Sequence, residues 1–265
     1  MWSHCHDAER PNPIWRALVA GSVTTRVLYM AERRGQEPDP CYLRDFDAAI
    51  VERGPDFVVL DQTAFYAEGG GQPYDTGILG RANEVSKVLR VTKERGVIKH
   101  YVDRMPAADE VHGVIDWDRR YKHMRFHTSQ HLMSGLVWRI YGARTVGNQL
   151  YTDRARVDFQ PANFAPGDLK RIEDECNRVV EAAEDVAIFE EARIDVDHKI
   201  GDRSLLELIP ASLTRLRVIQ VGTADYCPCG GTHVKNTAEL GRVRILEKRS
   251  KGKDADRITY ALSSV

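Results

Sequence analysis

His127-Thr-Ser-Gln-His131-Leu-Met-Ser-Gly-Leu-Val-Trp-Arg-Ile-Tyr141, followed by Gly142, is where the reading of this chain turns. Upstream of it the residues signal strands; from about Arg119 onward they signal a mixture of helices and strands. The stretch itself reads as a helix with Gly142 as its C-cap. On a helix, positions i and i+4 share a face, so His127 and His131 point at one spot. Their spacing matches the two histidines of His-Glu-x-x-His. Position 128 is Thr, however, so the glutamate base of a zinc protease is missing.

Working back from that helix, Tyr42 to about Trp117 carries short apolar runs separated by Gly and Pro turns. Phe57 to Leu60 is one such run. It is followed by the glycine-rich segment Glu68-Gly-Gly-Gly-Gln-Pro-Tyr-Asp-Thr-Gly77. Val85 to Val91 and Val97 to Val102 flank Glu94-Arg95-Gly96, the signature of a hairpin. This pattern predicts a small barrel. On pattern alone, Arg26 to Met30 reads equally as a first strand or as more of the stretch before it. The stretch before it is rich in Arg, His and Pro and aperiodic; residues 1–24 are expected to be a disordered extension or the product of a start-site choice.

Working forward, a strand is expected over Ala155 to Phe159. Pro166-Gly-Asp168 then opens a helix running to about Ala187, with Leu169, Ile172, Cys176, Val179 and Ala183 as its apolar stripe. Leu213 to Val221 and Val243 to Lys248 read as strands. The latter pairs with Ile258 to Leu262 across a Lys/Gly/Asp loop. The domain boundary belongs near residues 110–120, and the chain contains no internal repeat.

The 265 residues are 42% hydrophobic, enough for one large core or two medium ones. A net charge of −1 gives the molecule no overall basic field, so any nucleic-acid contact needs a local patch. Two patches stand out: Arg119, Arg120, Lys122 and Arg125 before the histidine pair, and Arg242, Arg244, Lys248, Arg249, Lys251 and Lys253 near the C-terminus. For each of these residues taken singly, a solvated surface face is the simpler reading. No apolar run approaches a membrane span, and the N-terminal stretch lacks the apolar region of a signal peptide. Five cysteines, an odd number in a long chain, fit a reducing cytoplasm with metal-bound or free thiols better than a disulfide framework.

Cys229-Gly-Gly-Thr-His233 is the second pair of metal-type side chains four positions apart. Imidazole and thiolate together suit zinc. Two half-sites far apart in sequence read as one centre assembled by folding. Cys227 is a rival thiolate, because residues 227 and 229 of a strand share a face. A redox role for the Cys227-Pro-Cys229 pair lacks the surrounding βαβ pattern.

His127-Thr-Ser-Gln-His131-Leu together with Cys229-Gly-Gly-Thr-His233-Val resembles the editing domain of alanyl-tRNA synthetase and its freestanding relatives, the AlaX trans-editing proteins. Phe65-Tyr-Ala-Glu-Gly-Gly-Gly-Gln-Pro-Tyr-Asp-Thr-Gly77 resembles the N-terminal domain those proteins share with the synthetase. The likeness runs from about Arg26 to the C-terminus, and the size and glycine-rich segment fit the medium-length type.

The resemblance implies an α+β chain: a small N-terminal β-barrel domain over residues 25–117, then an α/β-sandwich editing domain with a zinc site over 118–265. It implies zinc held by His127, His131 and Cys229, with His233 as fourth ligand or close neighbour. Four protein ligands would make a closed, structural-type site; three would leave a position for water or substrate. It implies a cytoplasmic hydrolase in translation fidelity, a zinc-dependent aminoacyl-tRNA deacylase. Its substrate is mischarged tRNA(Ala), chiefly Ser-tRNA(Ala), with Gly-tRNA(Ala) a further candidate. The partner is the tRNA(Ala) acceptor stem and mischarged 3′ end, with no DNA or membrane. Thr128 is the residue of the metal helix expected to act on substrate. Gly70, Gly71, Gln72 and Asn148 are expected to bind it. Residues Gly147-Asn-Gln-Leu150 stand where the synthetase often has Gly-Ser. The alternative is a non-catalytic, zinc-stapled tRNA-binding protein, and a third reading is a zinc hydrolase of small acyl esters.

Overall fold

A computed structural model of the chain describes residues 24–33, 39–81, 84–203 and 209–264. The extension expected over residues 1–24 lies, Thr24 apart, outside the described residues, as does Cys5. The expected first strand is shorter than its apolar pattern: β1 is only Arg26–Val27, and Leu28–Met30 turns into a 3-10 helix.

The strands that follow are β2 (Asp45–Arg53), β3 (Phe57–Leu60), the two-residue β4 (Gln62–Thr63), β5 (Gly77–Arg81), β6 (Glu84–Glu94), β7 (Val97–Val102) and β8 (Glu110–Ile115). β1 pairs in parallel with β4. The other strands close an antiparallel barrel in the order β2-β3-β7-β6-β5-β8, as the short strands and turns predict. Side chains alternate along the barrel strands, so Phe46, Ala48 and Ile50 of β2 point inward beside Val58, Leu79, Val91 and Ile98. The β6–β7 hairpin turns at Arg95 and Gly96, with φ of 50° and 88°. Two successive positive φ values are the twist that suits a tight hairpin.

The remaining elements are α1 (Trp117–Tyr141), β9 (Arg144–Leu150), β10 (Ala155–Gln160), α2 (Pro166–Glu181), β11 (Val186–Ala192), α3 (Arg193–Ile200), β12 (Arg215–Val221), β13 (Asp225–Pro228), β14 (Val243–Ser250) and β15 (Asp256–Leu262). They build two antiparallel sheets, β14-β15-β10-β9 and β11-β12-β13. α1 touches strands of both sheets and lies against α2. The architecture is α+β. Leu132, Met133, Leu136, Ile172, Phe159 and Tyr260 anchor a core separate from that of the barrel.

Two helix boundaries differ from expectation. α1 begins ten residues before His127, capped by Asp116, whose side chain accepts from the Arg119 backbone N–H at 3.3 Å. It ends on Gly142 in the left-handed region, as expected. α2 stops at Glu181 rather than near Ala187, because Ala183 takes a φ of 52° and the chain enters β11 at Val186. Tertiary bonds close that end: Asn236 donates to the Ala183 carbonyl at 2.7 Å, and Thr237 donates to that of Val179 at 2.8 Å.

Candidate metal centre

α1 is buried on nearly every side from His123 to Val137, with Arg125 the exception. Its close seat on β13 depends on Gly135: a Cβ there would lie 2.1 Å from the Ala224 carbonyl oxygen. The i, i+4 spacing places the rings of His127 and His131 with centroids 5.2 Å apart. Facing them, the chain leaves β13 at Pro228 and turns through Cys229, Gly230 and Gly231 to His233. Gly231 packs onto the His127 ring, where a Cβ would come within 2.1 Å of Cε1.

Folding thus brings both half-sites together. One ligand atom from each of His127, His131, Cys229 and His233 falls in a group whose members all lie within 4.8 Å of one another. Cys229 Sγ is 3.3 Å from His233 Nε2 and 3.6 Å from His127 Nε2. Bonds of about 2.0–2.3 Å to a tetrahedral ion put its ligands roughly 3.3–3.8 Å apart, so this donor set fits such an ion. Cys227 is not a member of that group; its thiol lies beside His131 and 3.6 Å from the Pro228 carbonyl.

Each histidine is held on its far nitrogen. His127 Nδ1 lies 2.8 Å from Gln72 Oε1, His131 Nδ1 lies 2.8 Å from Asp225 Oδ2, and His233 Nδ1 lies 3.2 Å from Thr128 Oγ1. Such partners orient ligating imidazoles and make them better donors. Asp225 is itself paired with Arg203. Burial opposes ionisation of Cys229, but His127, His233 and His131 around it outweigh that and hold the thiol well below its ordinary range. A thiolate is the form that binds metal.

A cavity of about 1510 Å³ opens beside the cluster. His127, His131 and Cys229 border it; His233 is fully buried and lies behind them. Gly70 and Asn148 also border the cavity. Gly71 turns with φ of 83° against Asn148, where a Cβ would meet Oδ1 at 2.0 Å. Asn148 donates to Gln130 Oε1 at 3.1 Å, and Gln130 donates to Ser134 at 2.8 Å, giving that wall a polar chain. Thr128 and Gln72 are both fully buried: the Thr128 hydroxyl meets His233 Nδ1 and the Val234 backbone N–H, and the Gln72 amide meets His127 Nδ1 and Thr232.

The first basic patch dissolves into internal contacts. Arg120 is fully buried, Arg119 donates to the Tyr74 carbonyl at 3.0 Å, and Arg125 donates to those of Leu240 and Ser263. Only Lys122 of the four remains exposed. In the second patch, Lys248 is drawn to Asp256 at 3.3 Å and Arg249 pairs with Glu247 at 2.5 Å. Arg242, Arg244, Lys251 and Lys253 are exposed. Among the described residues no helix is long and apolar enough to cross a membrane.

Asp225 and Arg203 were not singled out from the sequence. The available signal was weak: an acid four residues before Cys229, pairing with a histidine far upstream.

Two family models match the chain. Residues 41–119 match class II (A) tRNA synthetases, and residues 216–259 match the second additional domain of threonyl and alanyl tRNA synthetases. The alanyl-tRNA editing protein AlaX-M of Methanosarcina barkeri is 36% identical over 232 residues, covering 84% of this chain and 96% of that protein. AlaX-M of Methanosarcina acetivorans is 36% identical over 251 residues, 90% of this chain and 99% of that protein. The alanine–tRNA ligase of Thermococcus kodakarensis is 38% identical over 251 residues, which is 92% of this chain but 26% of the ligase.

Proposed function

This chain belongs to the AlaX-M family of alanyl-tRNA editing proteins, and from that premise we propose that it is a trans-editing hydrolase, a zinc-dependent aminoacyl-tRNA deacylase acting on mischarged tRNA(Ala). The observation that carries the reading is the four-donor cluster at the cavity wall, each imidazole oriented from behind. His127, His131 and Cys229 would hold zinc from the cavity side and His233 from the buried side. When bound, zinc supplies Lewis acidity beside the cavity. The working division is a barrel over residues 25–117 and an editing unit over 118–265.

In the reaction, water adds to the ester carbonyl carbon, the bond to the terminal ribose oxygen breaks, and that oxygen takes up a proton. The chain's own groups prepare this step. Gln72, Asp225 and Thr128 keep the donor rings from turning. Gln130, Ser134 and Asn148 offer amides and a hydroxyl to a small polar amino acid. A pocket that hydrogen-bonds a serine hydroxyl rejects alanine, whose methyl leaves the site's polar group unpaired; this can give discrimination on the order of 10⁴. Glycine would have to be selected by size, which discriminates less. Ser-tRNA(Ala) is therefore the chief substrate, with Gly-tRNA(Ala) a further candidate.

The partner is the acceptor stem and mischarged 3′ end of tRNA(Ala), met through phosphate contacts in the cytoplasm; no DNA or membrane contact enters the proposal. Arg242, Arg244, Lys251 and Lys253 supply the exposed cations for it. A second reading has one observation in its favour: four protein ligands is the composition of a structural site. In that case zinc only staples a tRNA-binding protein. Chelation followed by zinc replacement separates the two. A deacylase loses hydrolysis on chelation and regains it with zinc; a stapled binding protein loses its fold on chelation and shows no hydrolysis in either state.

A further inference from the structure

Gly70 and Gly71 turn the chain back on itself with φ of 57° and 83°, and the turn is closed by reciprocal backbone bonds between Gly69 and Gln72 of 3.1 and 2.9 Å. Two successive positive φ values are the preference of glycine. The turn delivers Gln72, on the barrel side, as a fully buried side chain against the metal helix. We propose that Gln72 is a positioning residue that fixes the tautomer of His127, making the glycine-rich turn part of the metal centre.

The hydrogen-bond network decides which way the Gln72 amide faces. A backbone N–H can only donate, and that of Thr232 points at Oε1 from 3.2 Å, so this atom is the oxygen. Nε2 then donates to Thr232 Oγ1 at 2.9 Å. With the oxygen fixed, the contact of 2.8 Å to His127 Nδ1 is a bond donated by the ring. The proton sits on Nδ1, and Nε2 keeps its lone pair, facing Cys229 Sγ at 3.6 Å. Gly231 completes the device. Any side chain there would overlap the His127 ring and crowd Gln72 Oε1 at 3.2 Å. A glutamine 55 residues upstream of His127 thus presets one donor for metal.

The proposal rests on the metal reading above, and its test separates the two. Gln72→Met keeps the side chain's length and removes the acceptor; Gln72→Glu keeps an acceptor. Zinc affinity is read by competition with a chromophoric chelator, and the His127 tautomer by long-range ¹H–¹⁵N correlation on the zinc-free protein at neutral pH. The expected result is an Nδ1–H ring in the wild type and about a 10–100-fold loss of zinc affinity in Gln72→Met. Gln72→Glu is expected to keep affinity within a few-fold. A zinc-binding wild type with an unaffected Gln72→Met variant overturns this proposal alone. So does a wild-type ring whose Nδ1 carries no proton, a readout that stands even where the Met variant fails to fold. A wild type that takes no zinc overturns the metal reading and this proposal with it.

Discussion

Arg120 and Asp75 form an ion pair from which solvent is fully excluded, joining the first turns of α1 to the end of the glycine-rich segment. Arg120 Nε donates to Asp75 Oδ2 at 2.8 Å, and the guanidinium also donates to the carbonyls of Ala64 at 2.5 Å and Cys41 at 3.2 Å. Removing one partner of a buried pair strands the other charge, at about 3–5 kcal/mol. Asp75→Asn and Arg120→Met are each expected to lower the unfolding midpoint by roughly 6–20 °C for a chain of this size. Replacing both with Leu and Met is expected to recover part of that loss. A double-mutant cycle by thermal unfolding shows it, and strict additivity of the two losses would contradict the pairing.

That same pair explains part of what the sequence concealed. Arg120 looks like a surface cation, the second in a run of basic residues that begins at Arg119, and only the fold supplies Asp75. α1 shows no apolar stripe before His127 because its buried residues there include Arg120 and His123. Periodicity detects greasy faces, not paired polar ones. The end of α2 was hidden for a related reason: Ala183 gives no local stop signal, and its left-handed turn is held by Asn236 and Thr237 from more than fifty residues away. The His127/His131 pair was legible because i, i+4 spacing fixes which helical residues share a face, and the barrel because hairpin turns are local. The contacts of Gln72, Thr128 and Asp225 with the histidine rings were not, since each joins residues distant in sequence.

Thr128 offers a clean separation of two roles. Its hydroxyl accepts from the Val234 backbone at 3.2 Å and stands against His233. Thr128→Val is expected to weaken zinc binding by about tenfold while leaving kcat at saturating zinc near that of the wild type. Thr128→Ser should keep both. A Val variant with unchanged zinc affinity but a collapsed kcat would mean that the hydroxyl acts on substrate.

Stability should fall in mild acid. Burial holds His100 down at about 4 and, with Arg119 and Arg120 nearby, His123 at about 3. The unfolded chain protonates both near pH 6.5, whereas the folded chain does not, so the unfolded state binds more protons in that interval. Their contribution is present in full above about pH 6.5 and is lost as pH falls toward 4 and 3, at up to about 2.7 kcal/mol per pH unit. Both ring nitrogens of His123 lack a hydrogen-bond partner among the described residues, so His123→Leu removes no bond. This variant is expected to halve the slope between pH 6 and 4.5 in denaturant titrations. An unchanged slope would contradict it.

Phosphate contacts should follow the exposed cations. Arg244→Glu, Lys251→Glu and Lys253→Glu together are expected to weaken tRNA affinity. They should also flatten its salt dependence by about 0.7–0.9 in log–log slope per lost contact, without changing the unfolding midpoint. A triple variant with wild-type affinity and slope would place the tRNA elsewhere on the surface.

The most direct test of the central claim is a deacylation time course with Ser-, Gly- and Ala-charged tRNA(Ala), with His131→Ala as the control. Rapid loss of Ser-tRNA(Ala), sparing of Ala-tRNA(Ala), and abolition by His131→Ala is the result expected of a zinc-dependent trans-editing enzyme. A folded, zinc-loaded protein that hydrolyses none of the three would contradict it and leave the metal as a staple.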